Sequence, residues 1–333
     1  MGSRKTATPA APRHVCAVIP VYNRLALTLD CLAQLARQTY RPITAIVVDG
    51  GSTDDTVATL RRDHPEVVLM TSEQPLYWAG ATRLGIDWVL ENADPTSFVL
   101  LLNNDTTFGP SYVEDLVELS LRENAAVGGV NVDSQDMTTP INAGVKIDWL
   151  TYSFPAKPTN GQPNPALADD ELFDDDVDVL NGRGVLVPLA MIKEAGNVDD
   201  AAFPHYIADY DFFCRLRVCG FRLGIHQKAM IGMMIAESGL DPTIQDQSFA
   251  DWARSLVDRR SRHNVVDHWR FIGRHAPSQQ RARLRQLLIK RALGQLLDLL
   301  LPPRSWRGRV NSMLRAAVGS MISHGDGLDR RLK

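Results

Sequence analysis

The chain has 333 residues, of which 44% are hydrophobic, and a formal net charge of −3. This length predicts one large α/β domain with an appendage, and the composition is that of an ordinary globular protein. No window holds 18 or more uninterrupted apolar residues, which argues against a membrane-spanning helix. The four cysteines form no CxxC pair and no Cys/His metal spacing, so we expect reduced thiols, as is typical of a cytoplasmic protein.

The first half of the chain alternates apolar strands with helical segments. Residues 1–13 lack the apolar core of a secretory signal, and we expect a disordered leader there. Helices are predicted after Asn23, after a capping box of Ser52 and Asp55, and over Ala81 to Glu91. Strands are predicted at VCAVIPVYN (15–23), ITAIVVDGGSTDD (43–55), VVLM (67–70) and SFVLLLNNDT (97–106).

This alternation predicts a mostly parallel α/β sheet with helices on both faces. The carboxyl ends of the strands in such a sheet form the ligand crevice. Three of the predicted strands end in polar side chains, at Asn23, at Asp49 and at the run Asn103, Asn104 and Asp105. Three polar clusters at one edge predict a site for a nucleotide and its metal.

The second half is less regular. Residues 151–178 are rich in Pro, Asn and acids, and we expect a solvated loop; the alternative, a Ca²⁺ site, lacks the usual glycine-bearing spacing. A helix is predicted from about Tyr206 to Cys219, followed by strands near Phe221 and Met230. From residue 249 the pattern is helical, with breaks at PSQQ and LPPRSW.

Five motifs in order resemble those of the inverting family 2 glycosyltransferases, which have the GT-A fold. Within that family they most resemble the rhamnosyltransferase-like bacterial branch, which serves polysaccharide biosynthesis. The motifs begin at Pro20, Val48, Asn103, Asn181 and Phe203. The resemblance implies a catalytic domain over 14–245, with a nucleotide-sugar half (14–132) and an acceptor half (133–245). Residues 246–333 then form a basic helical extension.

The resemblance also implies the donor site. Asp49 accepts a hydrogen bond from the nucleobase, and Pro20, Tyr22 and Asn23 close the same pocket. Asn181 and Arg183 lie in the loop that contacts the donor and acceptor sugars. Arg83 lies in a segment that lines the donor pocket of relatives, so its guanidinium either holds a phosphate or forms a surface ion pair.

Asp105 is the predicted metal ligand, flanked by Asn103 and Asn104. A carboxylate that follows the apolar run FVLLL must meet a partner or a cation, because desolvating an unpaired acid is costly. Mg²⁺ or Mn²⁺ suits an oxygen ligand that shares the ion with substrate phosphates. The family usually has a second acid where this chain has Asn103, and a late histidine for which His226 is the candidate.

Asp209 is the predicted general base. Its apolar surroundings should raise the carboxylate pKa, as a base working near neutral pH requires. Asp211 lies on another helix face and is predicted to pair with Arg215 four residues later. The family commonly reads Glu-Asp where this chain reads Ala208 and Asp209.

The resemblance implies a single in-line displacement with inversion, from dTDP-rhamnose or a UDP-sugar to a glycan, a lipid-linked glycan or another hydroxyl acceptor. Two alternatives stay open. A nucleotidyltransferase would use a similar sheet, but it requires a glycine-rich loop after the first strand. This chain has the sequence PVYNRLA there, with no glycine. A non-catalytic carbohydrate-binding scaffold would explain the acids missing at Asn103 and Ala208.

Charge is divided unevenly along the chain. Residues 252–333 hold 18 basic and 5 acidic side chains, and the first 251 residues hold 18 and 34. The basic part includes a leucine stripe over Arg283 to Leu301, which predicts a helix packed on the catalytic domain or across a homodimer, or one attached peripherally to an anionic inner membrane face. Nucleic acid is disfavoured, because no recognition motif accompanies the charge.

Overall fold

A computed structural model describes residues 12–157, 167–234 and 248–300 of the protein, the last three without their side chains. Most of the predicted leader and the predicted break at LPPRSW lie outside the described residues. The first half forms the expected series of strands and helices. It runs β1 (Val15–Val21), α1 (Leu25–Ala36), β2 (Ile43–Asp49), α2 (Thr56–Asp63), β3 (Val68–Thr71), α3 (Trp78–Asn92), β4 (Phe98–Leu101), β5 (Thr106–Phe108), α4 (Tyr112–Glu123), β6 (Ala125–Asp133) and β7 (Pro140–Asn142).

The second half contains the predicted helix near residue 206 and three helices after residue 248. Its elements are β8 (Phe173–Asp174), β9 (Val185–Pro188), α5 (Leu189–Ala195), α6 (Ala208–Val218), β10 (Arg222–Met233), α7 (Phe249–Ser255), α8 (Val265–His275) and α9 (Arg281–Leu300). The two strands expected near Phe221 and Met230 are one strand, β10, with a bulge between His226 and Met230. A short 3₁₀ turn, Ser278–Gln280, provides the break predicted at PSQQ.

The strands form one sheet in the order β3-β2-β1-β4-β9-β6-β10-β5. The first four are parallel, as expected for the nucleotide-sugar half. Beyond β4 the sheet is mixed, because β9 runs antiparallel to both β4 and β6 and β5 runs antiparallel to β10. The parallel half brings the carboxyl ends of β1, β2 and β4 to one edge.

Helices cover both faces of this sheet, as predicted. Side chains of β1 alternate between two cores: Cys16 and Val18 pack with buried residues of α3, α5, α6 and α8, whereas Ala17 and Ile19 pack with those of α1, α2 and α4. This period of two is what a strand covered on both sides requires. The α3 and α6 face is the one that carries the predicted base, Asp209.

The acid-rich segment is not simply a solvated loop, so that prediction was wrong in part. Its carboxylates pair with basic side chains: Asp174 with Lys157 of the same segment at 2.6 Å, and Asp175 with Arg222 of β10 at 2.8 Å. Two residues of the segment also form β8, which pairs with β10. The sequence pattern missed this because the partners are distant along the chain.

The C-terminal helices pack on the catalytic domain, so the packing interpretation is confirmed for the described part. Phe271 of α8 is fully buried, and Leu284 and Leu288 of α9 join the same core. Arg291 of α9 donates to the backbone oxygen of Tyr152 at 2.7 Å. None of the helices in the described ranges is long and apolar enough to cross a membrane. Membrane attachment and a homodimer stay predictions.

Asp211 joins α6 to the extension. The predicted pair with Arg215 is confirmed at 2.9 Å, and two residues of α8 add to it: Arg274 donates at 2.9 Å and His275 lies 2.7 Å away. Burial by itself raises the pKa of this fully buried carboxyl, but the hydrogen bonds from His275 and Arg215 outweigh it and lower the pKa below its ordinary value. Asp211 is thus a structural ion-pair partner.

We predict that Asp211→Asn lowers the free energy of unfolding at pH 7 by about 3 kcal/mol, because it leaves the guanidinium groups of Arg215 and Arg274 without their buried anion. Since the folded pKa is lowered, the wild-type contribution is present above the ordinary carboxylate pKa of about 3.9 and is lost as the pH falls below it. Urea unfolding at pH 7 and at acidic pH measures both effects.

Asp267, a buried carboxyl on α8, is the matched control. Burial raises its pKa to about 6, so its ionised form at pH 7 costs stability. Asp267→Asn should therefore leave the free energy of unfolding at pH 7 unchanged or raise it. Equal losses in the two variants would contradict the role given to Asp211.

Candidate active site

The loops after β1 and β2 interlock at the predicted edge. The backbone N–H of Asn23 donates to Ser52 Oγ at 2.6 Å, and Asn23 Oδ1 accepts from the Thr53 N–H at 2.8 Å. Both Asn23 and Arg24 adopt left-handed backbone conformations, with φ of 57° and 64°. The predicted capping box was wrong. The Ser52 hydroxyl accepts from Asn23. The N–H at the start of α2 donates instead to the side chain of Asp54.

Asp49 ends β2 beneath these loops. Its Oδ1 accepts from the backbone N–H groups of Gly51 and Ser52, at 3.0 and 2.9 Å. Its Oδ2 is buried and has no hydrogen-bond partner within the described part of the chain. A buried carboxylate oxygen without a donor is costly, so this atom is available to a ligand that brings one.

Each residue of the run after β4 has a distinct environment. Asn103 Oδ1 accepts from the indole N–H of Trp78 at 3.0 Å, and the buried Asn104 amide donates to Thr28 Oγ1, also at 3.0 Å. Asp105 Oδ2 accepts from the Arg24 guanidinium at 3.3 Å. The two amides are therefore fixed by protein groups, and Asp105 alone presents a carboxylate.

A cavity of about 530 Å³ opens above these strand ends. Its lining comes from the ends of β1 and β4 and from segments on either side of them, and it includes neither Asn23 nor Asp49. The lining residues are Pro20, Val21, Tyr22, Arg24, Pro75, Leu76, Tyr77, Trp78, Ala81, Asn103, Asn104, Asp105, His205 and Arg260. Tyr22 is 57% exposed at the rim, so its ring is open to a planar ligand.

Asp209 lies at the start of α6 on the other side of Trp78. Its Oδ2 accepts from the Gly182 N–H at 3.0 Å, and its Oδ1 from the N–H of Tyr210 at 3.0 Å. A Cβ added at Gly182 would meet the Trp78 ring at 2.6 Å and Asp209 Cβ at 3.0 Å. Gly182 therefore lies against both the predicted base and Trp78, which lines the cavity.

The pKa of Asp209 is raised, chiefly because burial disfavours its charged form; the backbone hydrogen bonds and the nearby Arg183 oppose this shift without cancelling it. Asp211, two residues further, is held charged by three partners. The two acids of one helix thus have opposite environments, which is the pattern expected of a base and a structural carboxylate.

Three sequence-predicted residues lie elsewhere. Arg83 does not line the cavity. Its guanidinium donates to Asp200 at 2.6 Å and lies 3.6 Å from Asp87. Of the two roles considered for Arg83, a phosphate ligand or a surface ion pair, the structure shows the ion pair. Asn181 donates to Asn142 at 2.8 Å. His226 sits in the bulge of β10, where its Nδ1 accepts from two backbone N–H groups, and it does not line the cavity.

Sequence reasoning missed Arg24, Tyr77, Trp78, His205 and Arg260, all of which line the cavity. Trp78 and Tyr77 precede a helix and give no periodic signal, and Arg260 lies in a segment assigned only by its charge. His205 lies inside the motif that begins at Phe203, and its buried Nδ1 has no partner among the described residues. The signal available in the sequence was the presence of an aromatic residue or a histidine at the end of a predicted strand or helix.

The residues around Asp105 fit a divalent cation that is shared with a ligand. Asp105 Oδ1 is buried and accepts no hydrogen bond from the described residues. Those residues contain no group of three or more His, Cys, Asp or Glu side chains able to hold an ion. Mg²⁺ is commonly bound through one or two carboxylates together with substrate phosphates and water, so a single carboxylate suffices when the substrate supplies the rest.

Residues 16–169 match the model of glycosyl transferase family 2. This part of the chain, a little under half of it, is similar to the family 2 glycosyltransferases. The match contains β1 to β7 and therefore the two strand ends that line the cavity, whereas Asp209 and the C-terminal helices follow it. A search of curated proteins finds no match.

The protein has the GT-A fold, as predicted. It is similar to a mannosyltransferase from Pyrobaculum calidifontis, solved with GDP-Man and Mn²⁺, at a TM-score of 0.54 and 15% identity, over 93% of this chain and 82% of that one. It is also similar to GalNAc-T7, solved with UDP, GalNAc and Mn²⁺, at a TM-score of 0.53 and 11% identity, over 90% of this chain and 56% of that one. The rhamnosyltransferase-like branch stays a prediction.

We predict that Gly182→Ala lowers the free energy of unfolding by about 1–3 kcal/mol, because the new methyl group overlaps the Trp78 ring. Gly109→Ala is the matched control, since nothing lies within 4 Å of the added atom there. Urea unfolding followed by tryptophan fluorescence compares the two. Equal midpoints would show that Trp78 does not pack on Gly182.

Proposed function

We propose that this glycosyltransferase transfers a sugar from a nucleotide diphosphate sugar to a hydroxyl acceptor with inversion, and that Asp209 is its general base. One observation carries the proposal: a carboxyl of raised pKa accepts from Gly182, which packs on Trp78 in the lining of a cavity that contains Asp105. That arrangement offers separate places for a proton acceptor and for an anionic leaving group, as a single displacement requires.

The donor occupies the 530 Å³ cavity in this proposal. The unpartnered Oδ2 of Asp49 accepts a hydrogen bond from the nucleobase, and the exposed ring of Tyr22 stacks on it. Asn23 holds the loop after β2 closed through its bond to Thr53. Arg83, paired with Asp200, has no part in the donor site.

The diphosphate lies toward Asp105 and Arg24. A Mg²⁺ or Mn²⁺ ion held by Asp105 would act as a Lewis acid that takes up negative charge on the leaving diphosphate. Asn103, fixed by Trp78, and Asn104, fixed by Thr28, set the position of the Asp105 backbone. The structural neighbours, which were solved with Mn²⁺ and with GDP-Man or UDP, support a divalent cation and a nucleotide donor.

Asp209 accepts the proton of the acceptor hydroxyl. Each of its oxygens takes one backbone N–H and keeps a lone pair for the substrate, so the two bonds orient the carboxylate without saturating it. Its raised pKa strengthens it as a base. Asn181 and Arg183, which flank Gly182, contact the sugars in this proposal.

A deoxysugar donor such as dTDP-rhamnose, or a UDP-sugar, and a glycan or lipid-linked acceptor remain the proposed substrates. The nucleotidyltransferase alternative gains no support, because the loop after β1 is closed by Asn23 and Ser52 and offers no glycine-rich phosphate cradle. The scaffold alternative does not explain a base-like carboxyl beside the cavity.

We predict that Asp209→Asn lowers the transfer rate by about 10² or more, since it keeps size and removes basicity. Nucleotide affinity should stay similar. Asp63→Asn, which changes an exposed acid on α2, is the control and should keep wild-type activity. Because the pKa of Asp209 is raised, kcat/KM of the wild type should fall on acidification at a pH above the ordinary carboxylate value of about 3.9. Transfer by the Asn variant at close to the wild-type rate would remove Asp209 from the mechanism.

Chelation should abolish transfer, and Mn²⁺ or Mg²⁺ should restore it, because the cavity contains a single carboxylate and depends on a shared cation. Asp105→Ala should not be rescued by either ion. Calorimetric titration of wild type and variant with Mn²⁺ and a nucleoside diphosphate separates ion binding from turnover. Full activity in EDTA would recast Asp105 as the ion-pair partner of Arg24.

A further inference from the structure

The donor cavity extends beyond the part of the chain that matches the family. Arg260 lines it together with Asp105, although Arg260 lies in the loop between α7 and α8, about 90 residues after the matched segment ends. Its guanidinium carbon lies 5.9 Å from the centre of the Tyr77 ring, another residue of the lining. Within the described residues this cation therefore contacts an aromatic face and not a carboxylate.

The loop that carries Arg260 is held in place by Asn264. The buried amide of Asn264 donates to the backbone oxygens of Val257 and Asp258, at 3.4 and 3.1 Å. Its Oδ1 accepts from the N–H groups of Val266 and Asp267 at the start of α8, at 2.9 and 3.2 Å. One side chain thus closes the loop on itself and caps the helix that follows.

Helix α8 is in turn fixed to the catalytic domain. The fully buried Asp211 of α6 holds Arg274 and His275, and Phe271 is fully buried among the aromatic side chains of the core. The backbone of the loop that carries Arg260 is therefore held by a chain of contacts that begins in the core, whereas the Arg260 side chain itself is exposed.

The charges of the cavity favour an anionic ligand at Arg260. Among its lining residues Asp105 is the one acid, and Arg24 already pairs with it at 3.3 Å. Arg260 also lies close enough to His205 to reinforce the lowering of the His205 pKa that burial causes. A neutral imidazole and a guanidinium both donate hydrogen bonds to phosphate oxygens.

We propose that Arg260 binds the diphosphate of the donor, so that the C-terminal extension completes the donor site. The inference rests on the proposed function of the cavity. It assigns to the extension a role in donor binding beyond that of a packed appendage. The planar fork of arginine suits two phosphate oxygens at once, which a lysine ammonium at the same place does not match.

The test compares Arg260→Ala with Arg259→Ala. The two variants lose the same charge at neighbouring positions, but Arg259 does not line the cavity. Calorimetry in Mn²⁺ buffer measures the affinities for UDP, dTDP, GDP, CDP and ADP and for the corresponding nucleosides. For the diphosphate that the wild type binds best, Arg260→Ala should weaken binding about tenfold or more, as expected for loss of a charged hydrogen bond, and Arg260→Lys less. Nucleoside affinity should not change.

Each outcome decides a different point. If Arg260→Ala and Arg259→Ala bind the diphosphate equally well, Arg260 is not a diphosphate ligand, while the proposed function stands. Equal weakening for diphosphate and nucleoside would mean that the substitution disturbs the cavity as a whole, and would also overturn the inference. If the wild type binds no nucleoside diphosphate of the panel, both the inference and the proposed function fail.

Discussion

The site depends on the placement of the Trp78 side chain. Its indole N–H fixes the Asn103 amide at one wall of the cavity, and its ring packs on Gly182, whose N–H donates to Asp209. One aromatic residue therefore sets both the run that ends in Asp105 and the loop that orients the base. The absence of a side chain at Gly182 is what allows this contact, since a Cβ there would overlap the ring.

The division of the sheet into two parts explains how this placement arises. Parallel strands β1, β2 and β4 deliver polar residues to one edge because the carboxyl ends of parallel strands share a side. The antiparallel strand β9 then enters from that same edge, so the loop before it, with Gly182, starts beside the ends of the parallel strands. The fold thus joins the edge that is proposed to bind the nucleotide to the loop that is proposed to contact the acceptor, across a single strand pair.

The two carboxylates of α6 have different roles: Asp211 stabilises the fold, and Asp209 is the proposed base. Asp211 is neutralised by Arg215, Arg274 and His275, which ties α6 to the extension. Asp209 on the same helix receives only backbone donors, and its pKa is raised. The extension that Asp211 anchors carries Arg260 back to the cavity, so a structural ion-pair network in the core also determines the charge around the ligand.

The sequence by itself determined most helices and strands of the first half, the helices on both faces of the sheet and the family resemblance. It also determined that polar residues gather at the ends of β1, β2 and β4. These features follow from strand periodicity and from the residues at strand ends, which are local signals. It also determined the pair of Asp211 with Arg215, whose spacing is that of one helical turn. Only the tertiary structure decided that Arg83 pairs with Asp200, that Ser52 bonds Asn23 and that Trp78 and Arg260 reach the cavity. Those contacts join residues that are 25 or more positions apart, and no local pattern specifies which side chains long-range packing brings together.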